Sequence, residues 1–224
     1  MSKQSLKKRS DAETDPVNPP RPASETGPTS ETGPASEIRP PSERILTVAR
    51  ELFCRDGIHA TGIDRILADA HASKMTLYAR FGSKEALVRE VLTREGADWR
   101  DAFFAAVRAG AHAPLDRLRQ VIPAIAAWFD GGRFYGCAFI NAVAEHAKGE
   151  PALRALAAEH HRHILAFLGD LAEAADLPEP ALVARQILLT MDGAIAALMV
   201  SGDPAVLAVA RKNLDAILAA AESG

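Results

Sequence analysis

From Pro41 onward, apolar side chains recur with the period of a helix. Ile45, Val48, Ala49, Leu52 and Phe53 stand at i, i+3, i+4, i+7 and i+8, a single stripe on one face. Pro41 and Ser42 are helix-start residues, and Gly57 is placed to end the helix in the left-handed conformation that glycine adopts without penalty. A second helix is predicted from about Thr61, whose hydroxyl is positioned to cap it, with Asp64 completing a capping-box pattern. Ile63, Ile66, Leu67 and Ala70 form its apolar face. After the break His71-Ala72-Ser73, Leu77 and Phe81 mark the inward side of a third short helix. Gly82-Ser83 closes it, and Ser83 is placed to cap a long fourth helix beginning at Lys84-Glu85. Three short helices in tandem, the last two joined by a tight turn, are helix-turn-helix geometry.

The rest of the chain reads as helices throughout. The fourth runs to about Ala109, and Pro114 starts another that ends at Gly131-Gly132, with Pro123 kinking it. Further starts fall near Gly136, Pro151, Pro178-Pro180 and Asp203-Pro204. The segments 184–202 and 205–221 are apolar on more than one face and rich in small residues. Gly193, inside the first of them, is either a close-packing contact or a mild bend. The predicted fold class is all-α.

Residues 1–40 break this pattern. They are rich in Pro, Ser, Thr, Glu and Gly and nearly lack large apolar side chains, so burial cannot offset the entropy of ordering them. The hexapeptides ASETGP, TSETGP and ASEIRP repeat there without a large apolar residue common to each that could stack, which predicts a solvated low-complexity tail. Lys3, Lys7, Lys8 and Arg9 give it a small basic cluster, with a basic arm as the alternative reading.

Composition changes the picture in two ways. Cys54 and Cys137 are the only cysteines and fit no metal or redox spacing, which predicts a reduced, cytoplasmic setting. No uncharged apolar run approaches the roughly 18 residues of a membrane span, so no membrane partner is expected. Net charge is −3, which favours no acidic partner by itself, but its distribution does. Residues 43–95 carry a small basic excess and residues 96–224 an acidic one. The stretch Ser73–Lys84 holds Lys74, Arg80 and Lys84, the hydroxyls of Ser73, Thr76 and Tyr78, and no acid. A helix lying in a DNA groove is flanked by phosphates that would repel an acid, which accounts for that composition.

Polar residues inside apolar helices are candidates for a ligand pocket: Asn141 and Glu145 at i, i+4, His163, and Asp192 beside Met191. The aromatics Trp128, Phe129, Phe134, Tyr135, Phe139 and Phe167 stand near them in the pattern. The run Glu159–His163 offers a metal alternative, with His160 and His163 at i, i+3 and Glu145 or His146 approaching from another helix. That grouping supports a metal-sensing protein or a metal-dependent hydrolase as rival readings, and a purely protein-binding helical module is a third. No catalytic constellation, phosphate loop or dinucleotide fingerprint occurs, so neither an enzyme nor a cofactor is expected.

The stretch "ATGIDRILADAHASKMTLYARFGSKEAL", residues 60–87, resembles the helix-turn-helix of the TetR family of bacterial transcriptional regulators. The resemblance is close over about residues 43–95. His71 stands where the family usually has a turn glycine, and Arg80 where a His is common. Beyond the low-complexity tail (1–40), the resemblance implies a DNA-binding domain (41–100, motif about 62–81) and a ligand-binding and dimerisation domain (101–224). It further implies that Ser73, Lys74, Met75 and Thr76 face base edges or nearby phosphates. Tyr78, Arg80 and Lys84 would hold the DNA backbone, and Thr61 would meet a phosphate. "RFYGCAFINAVAE" resembles a regulatory-domain segment more loosely. The implied protein is a homodimeric repressor, paired through its last two helices and released from a palindromic double-stranded DNA operator by a small-molecule effector.

Overall fold

The computed structural model describes residues 39–145 and 151–223, which form ten α-helices and no strand. They are α1 Pro41–Asp56, α2 Ile63–Asp69, α3 Lys74–Phe81, α4 Lys84–Ala109, α5 Pro114–Arg119, α6 Val121–Asp130, α7 Ala138–Glu145, α8 Pro151–Ala174, α9 Pro180–Ser201 and α10 Ala205–Glu222. The low-complexity tail, up to Ile38, and His146 lie outside the described residues.

Two apolar cores organise the helices. The first is built on Ile45, Ala49 and Leu52 of α1, Ile66 of α2, Leu77 of α3 and the first turns of α4. The second joins Phe103 and Val107 of α4 to α5, α6, α8, α9 and α10. With 26 residues, α4 is about 39 Å long and threads both. Phe139 and Ala142 of α7 and Leu153 of α8 complete the first core from the far side. The described residues therefore fall in one compact unit.

Local signals place most boundaries. Ser73 and Ser83 cap α3 and α4 by accepting from the amides of Thr76 and Ala86, each at 3.1 Å. His71 adopts φ 47° in the turn before α3, a conformation His tolerates better than most residues.

Three expectations are corrected. Gly57 ends α1 at φ 89°, ψ 157°, an extended positive-φ region still more restricted to glycine than the left-handed helical one. The cap of α2 is Gly62, with no side-chain bond, because Thr61 turns inward. Thr61 is fully buried and its hydroxyl donates to Gly57 O at 2.7 Å. The predicted helix from Pro114 to Gly131 is two helices: Pro123 cannot donate to the carbonyl four residues back, that of Arg119, and α5 ends there. Separately, although Arg185 and Asp192 interrupt it so that no uncharged run of span length occurs, α9 is long and apolar enough to cross a membrane by length and composition. Its apolarity has a packing explanation, since Val183, Ile187, Met191, Ile195 and Leu198 are core residues. On its opposite side Leu182, Leu189 and Val200 form an exposed apolar stripe. A Cβ on Gly193 of that face would meet open space, so within one chain the glycine makes no close contact.

Replacing Thr61 by the isosteric Val should remove a buried hydrogen bond and lower unfolding free energy by about 1–2 kcal/mol in urea melts. An unchanged midpoint would show that the hydroxyl does not hold the α1–α2 loop.

Candidate nucleic-acid interface and the cavity behind it

The exposed face of α3 follows from how its other face is anchored. Leu77 and Phe81 are buried in the first core, which turns Lys74, Met75, Tyr78 and Arg80 outward. Met75 is 80% exposed and Tyr78 49%, unusual for side chains that size and therefore the face to explain. Ser73 is exposed and Thr76 half-buried. Their hydroxyls are 2.9 Å apart, and Ser73 is engaged as the helix cap. Arg44 of α1 fixes the preceding turn, donating to the carbonyls of Ala70 (2.9 Å) and His71 (2.8 Å). Sequence reasoning missed Arg44, because its partners are 26 and 27 residues away.

The acid-free helix borrows acids from its neighbours. Lys74 Nζ lies 2.8 Å from Asp64 of α2, which raises its pKa. Arg80 pairs with both carboxylate oxygens of Glu90 on α4, at 2.8 and 3.2 Å, and Glu90 also meets Arg94. Lys84 is half-buried and donates to Ile58 O at 2.7 Å, tying the start of α4 to the α1–α2 loop. Thr61 needs correction as a phosphate contact, since its hydroxyl faces the interior.

Behind this head lies a cavity of about 30 Å³, room for little more than one water. Of the predicted pocket residues, Trp128, Phe139, Met191 and Asp192 line it. The others do not. Asn141 donates to Tyr135 O at 3.0 Å. Glu145 accepts from the amide of His59 at 2.9 Å, joining α7 to the α1–α2 loop. His163 is half-exposed and pairs with Glu159 on its own helix at 3.0 Å. Phe129 packs edge-on to Phe134, and Phe167 stacks on Phe104 in the second core with centroids 4.1 Å apart.

The ionisable and aromatic lining residues missed are Glu95, Trp99, His160 and His161. A signal for His160 was present: it lies one turn before Ile164 and continues the inward stripe of Ile164, Phe167, Leu168 and Leu171. His160 is 4% exposed, stacks on Phe139 at 4.1 Å and accepts from Arg100 at 3.0 Å through Nδ1. Burial, reinforced by the Arg100 charge, lowers its pKa from 6.5 to about 3, so the ring is neutral. Burial also raises the Asp192 carboxyl, opposed by His161. Among the described residues, no three His, Cys, Asp or Glu side chains converge to hold a metal ion. His160 points inward and His163 outward, so these two do not face one another across a common metal position, and His146, the other histidine of that grouping, lies outside the described residues. The thiols of Cys54 and Cys137 are free, and burial raises both, Cys54 to about 12.

A wider cleft of about 430 Å³ adjoins the cavity, lined by Thr47, Arg50 and Cys54 of α1, by α4, and by Arg133 and Tyr135. Both spaces share Glu95, Trp99 and Trp128.

Residues 45–91 match the model of bacterial regulatory proteins of the tetR family, and residues 114–214 that of the tetracyclin repressor-like C-terminal domain. Together they cover more than half of the chain. The DNA-binding transcriptional repressor TetR of Mycobacteroides abscessus is 33% identical over 83 residues, 36% of this chain and 44% of that protein. The HTH-type transcriptional activator FasR of Mycolicibacterium smegmatis is 35% identical over 87 residues, 39% and 38% of the two chains. The match thus spans less than half the length of either curated relative. A TetR-family transcriptional regulator from Streptomyces coelicolor superimposes with a TM-score of 0.74 at 28% identity, over 81% of this chain and 95% of that one.

Two outcomes are expected. An unfolded His160 binds a proton below pH 6.5 that the folded ring refuses until about pH 3, so stability is lost as pH falls through that window. Between about pH 8 and 5 a His160→Gln variant should lose about 2 kcal/mol less stability than the parent in paired urea melts. Equal losses would mean that His160 is not held neutral. Replacing Glu90 by Gln should free Arg80 and raise affinity for any DNA duplex on the order of threefold at low salt, as an exposed ion pair is worth under about 1 kcal/mol. Unchanged affinity in gel-shift titrations would take Arg80 out of the contact.

Proposed function

The chain belongs to the tetR family of bacterial regulatory proteins, and from that premise we propose that it is a cytoplasmic, homodimeric, ligand-released transcriptional repressor. The observation that carries the reading is the outward face of α3: Lys74, Met75, Tyr78 and Arg80 stand exposed on a helix capped by Ser73 and anchored by Leu77 and Phe81. In the major groove Lys74 and Met75, at its N-terminal end, meet base edges, a lysine suiting guanine and an apolar side chain the thymine methyl. Tyr78 and Arg80 meet phosphates, and Arg80 exchanges Glu90 for the DNA backbone. Ser73 and Thr76 shape the helix start beside them, and Lys84 positions the α1–α2 loop while its remaining donors face the DNA. Residues 41–100 act as the reading head and 101–224 as the regulatory and dimerisation part.

The exposed stripe Leu182, Leu189 and Val200 supports dimerisation through α9, assisted by Val209 of α10. Gly193 and Ala196 are exposed on the same side of α9 and small enough for two copies to approach closely. Two heads on one dimer read a palindrome whose half-sites lie about one helical turn, 34–36 Å, apart. Relief of repression follows when an effector between α1, α4 and α6 favours a dimer with misplaced heads. A differential affinity of about 1–3 kcal/mol is the usual size of such coupling.

Selection of bound duplexes from random DNA tests the reading. The parent chain should return a palindrome, and Lys74→Ala or Met75→Ala should relax it at one symmetric pair of positions. Arg80→Ala should bind more weakly to the same consensus. Recovery of no preferred duplex, or relaxation by Arg80→Ala alone, would reject this use of α3.

A further inference from the structure

The chain has two tryptophans, and both stand in the partition between the inner cavity and the outer cleft. They are held differently. Trp99 stacks flat on Phe103, with centroids 4.8 Å apart and planes 13° from parallel. Trp128 makes only edge contacts, at 5.5 Å to Trp99 and 4.7 Å to Phe134, at the end of α6 just before Gly131-Gly132. A flat molecule entering from the cleft therefore meets one fixed aromatic wall and one that yields.

The charges of the cleft are largely spent on each other. Arg50 donates to Glu95 and to Asp98, and Glu51 pairs with Arg55. At the inner end, a cationic tip would have no lone pair for the His160 ring to donate to, and an anionic tip would face Asp192. Neither ion is favoured there. The polar groups are instead arranged for one neutral group that both donates and accepts. Because Arg100 donates to His160 Nδ1, the neutral ring carries its proton on Nε2, which makes it a donor. No protein group accepts from that nitrogen among the described residues. Asp192 supplies an acceptor, and His161 Nε2 lies 3.5 Å from Asp192 Oδ2, buried and without a hydrogen-bond partner. The open Nε2–H of His160 and the acceptor on Asp192 are the two groups a ligand hydroxyl can pair. A buried donor left unpaired costs free energy that such a bond recovers. A volume of about 30 Å³ suits one hydroxyl and excludes a ring.

We propose that this site takes a neutral, flat aromatic alcohol of the phenol or naphthol class. Its ring occupies the cleft side against Trp99, displacing Trp128, and its hydroxyl enters the inner cavity to accept from His160 and donate to Asp192. The effector role of such a compound rests on the ligand-released reading above; the binding site does not.

Calorimetric titration of the full chain with 2-naphthol, naphthalene, 2-naphthoate and 2-naphthylmethylammonium tests the class directly. The expected order puts 2-naphthol at least about tenfold tighter than naphthalene and tighter than both ions, the size of one buried hydrogen bond. Asp192→Leu and His160→Phe should each erase most of the advantage over naphthalene while leaving naphthalene binding in place. Equal affinity for naphthalene, tighter binding of either ion, or an undiminished advantage in both variants would overturn the proposal. If either variant fails to fold, the four-compound order on the parent chain decides. Operator release, read separately by gel shift, distinguishes the two readings. Tight 2-naphthol binding without release sinks the ligand-released reading and leaves the site. Release by 2-naphthoate but not by 2-naphthol sinks the site's assignment and leaves that reading.

Discussion

The ring of Phe139 is clamped between two helices, and both the reading head and the cavity depend on that clamp. On one side is Gly96 of α4, where a Cβ would come within 2.6 Å of Phe139 Cζ. On the other is the imidazole of His160, stacked at 4.1 Å and 17°. Only a glycine at 96 lets the ring come so close to α4. The same ring belongs to the core of α1, α2 and α3, and from it α7 continues through buried Ala142 to Glu145, which holds the His59 amide. One 8-residue helix thus has the cavity at one end and the head's first loop at the other. Packed cores shift between discrete arrangements rather than deforming smoothly, so under the proposed function Phe139 is the contact through which an effector in the cavity would reach the head.

Electrostatics at the head follow a second constraint. A helix facing phosphates gains from carrying no acid, yet two cations left unpaired on one face, Lys74 and Arg80, would bind any polyanion. Asp64 and Glu90, contributed by the flanking helices, offset this in the free chain. Lys74 and Asp64 are both mostly exposed, so their pairing is weak and readily exchanged for phosphate. Such pairs temper sequence-independent attraction more than they add stability.

What lay in the sequence was what neighbouring residues decide. The stripe of α1, the caps Ser73 and Ser83, the His71 turn and the inward Leu77 and Phe81 all rest on spacings of a few residues, and each was legible. So was the polar face of α3, because its exposure follows from the buried face opposite. The candidate cavity was legible only in part. Trp128, Phe139, Met191 and Asp192 were found, but Asn141, Glu145 and His163 are engaged elsewhere.

The rest depended on distance in three dimensions. Periodicity gives the face of a helix but not what that face meets, so His163 and His160, three residues apart, could not be ranked until α8 was docked. Thr61 read as a cap because its local pattern fits one; burial by α1 turned its hydroxyl to Gly57 instead. Gly96 carries no local signal of its role, which depends on Phe139, more than forty residues away in the chain. The sequence by itself determined the all-α class, most of the helices with their order, and the outward face of α3, since hydrogen bonds and side-chain periodicity there span at most a few turns. Only the tertiary structure decided which polar groups share a cavity and which acids temper the cations of α3. Those contacts join residues whose separation along the chain carries no local signal.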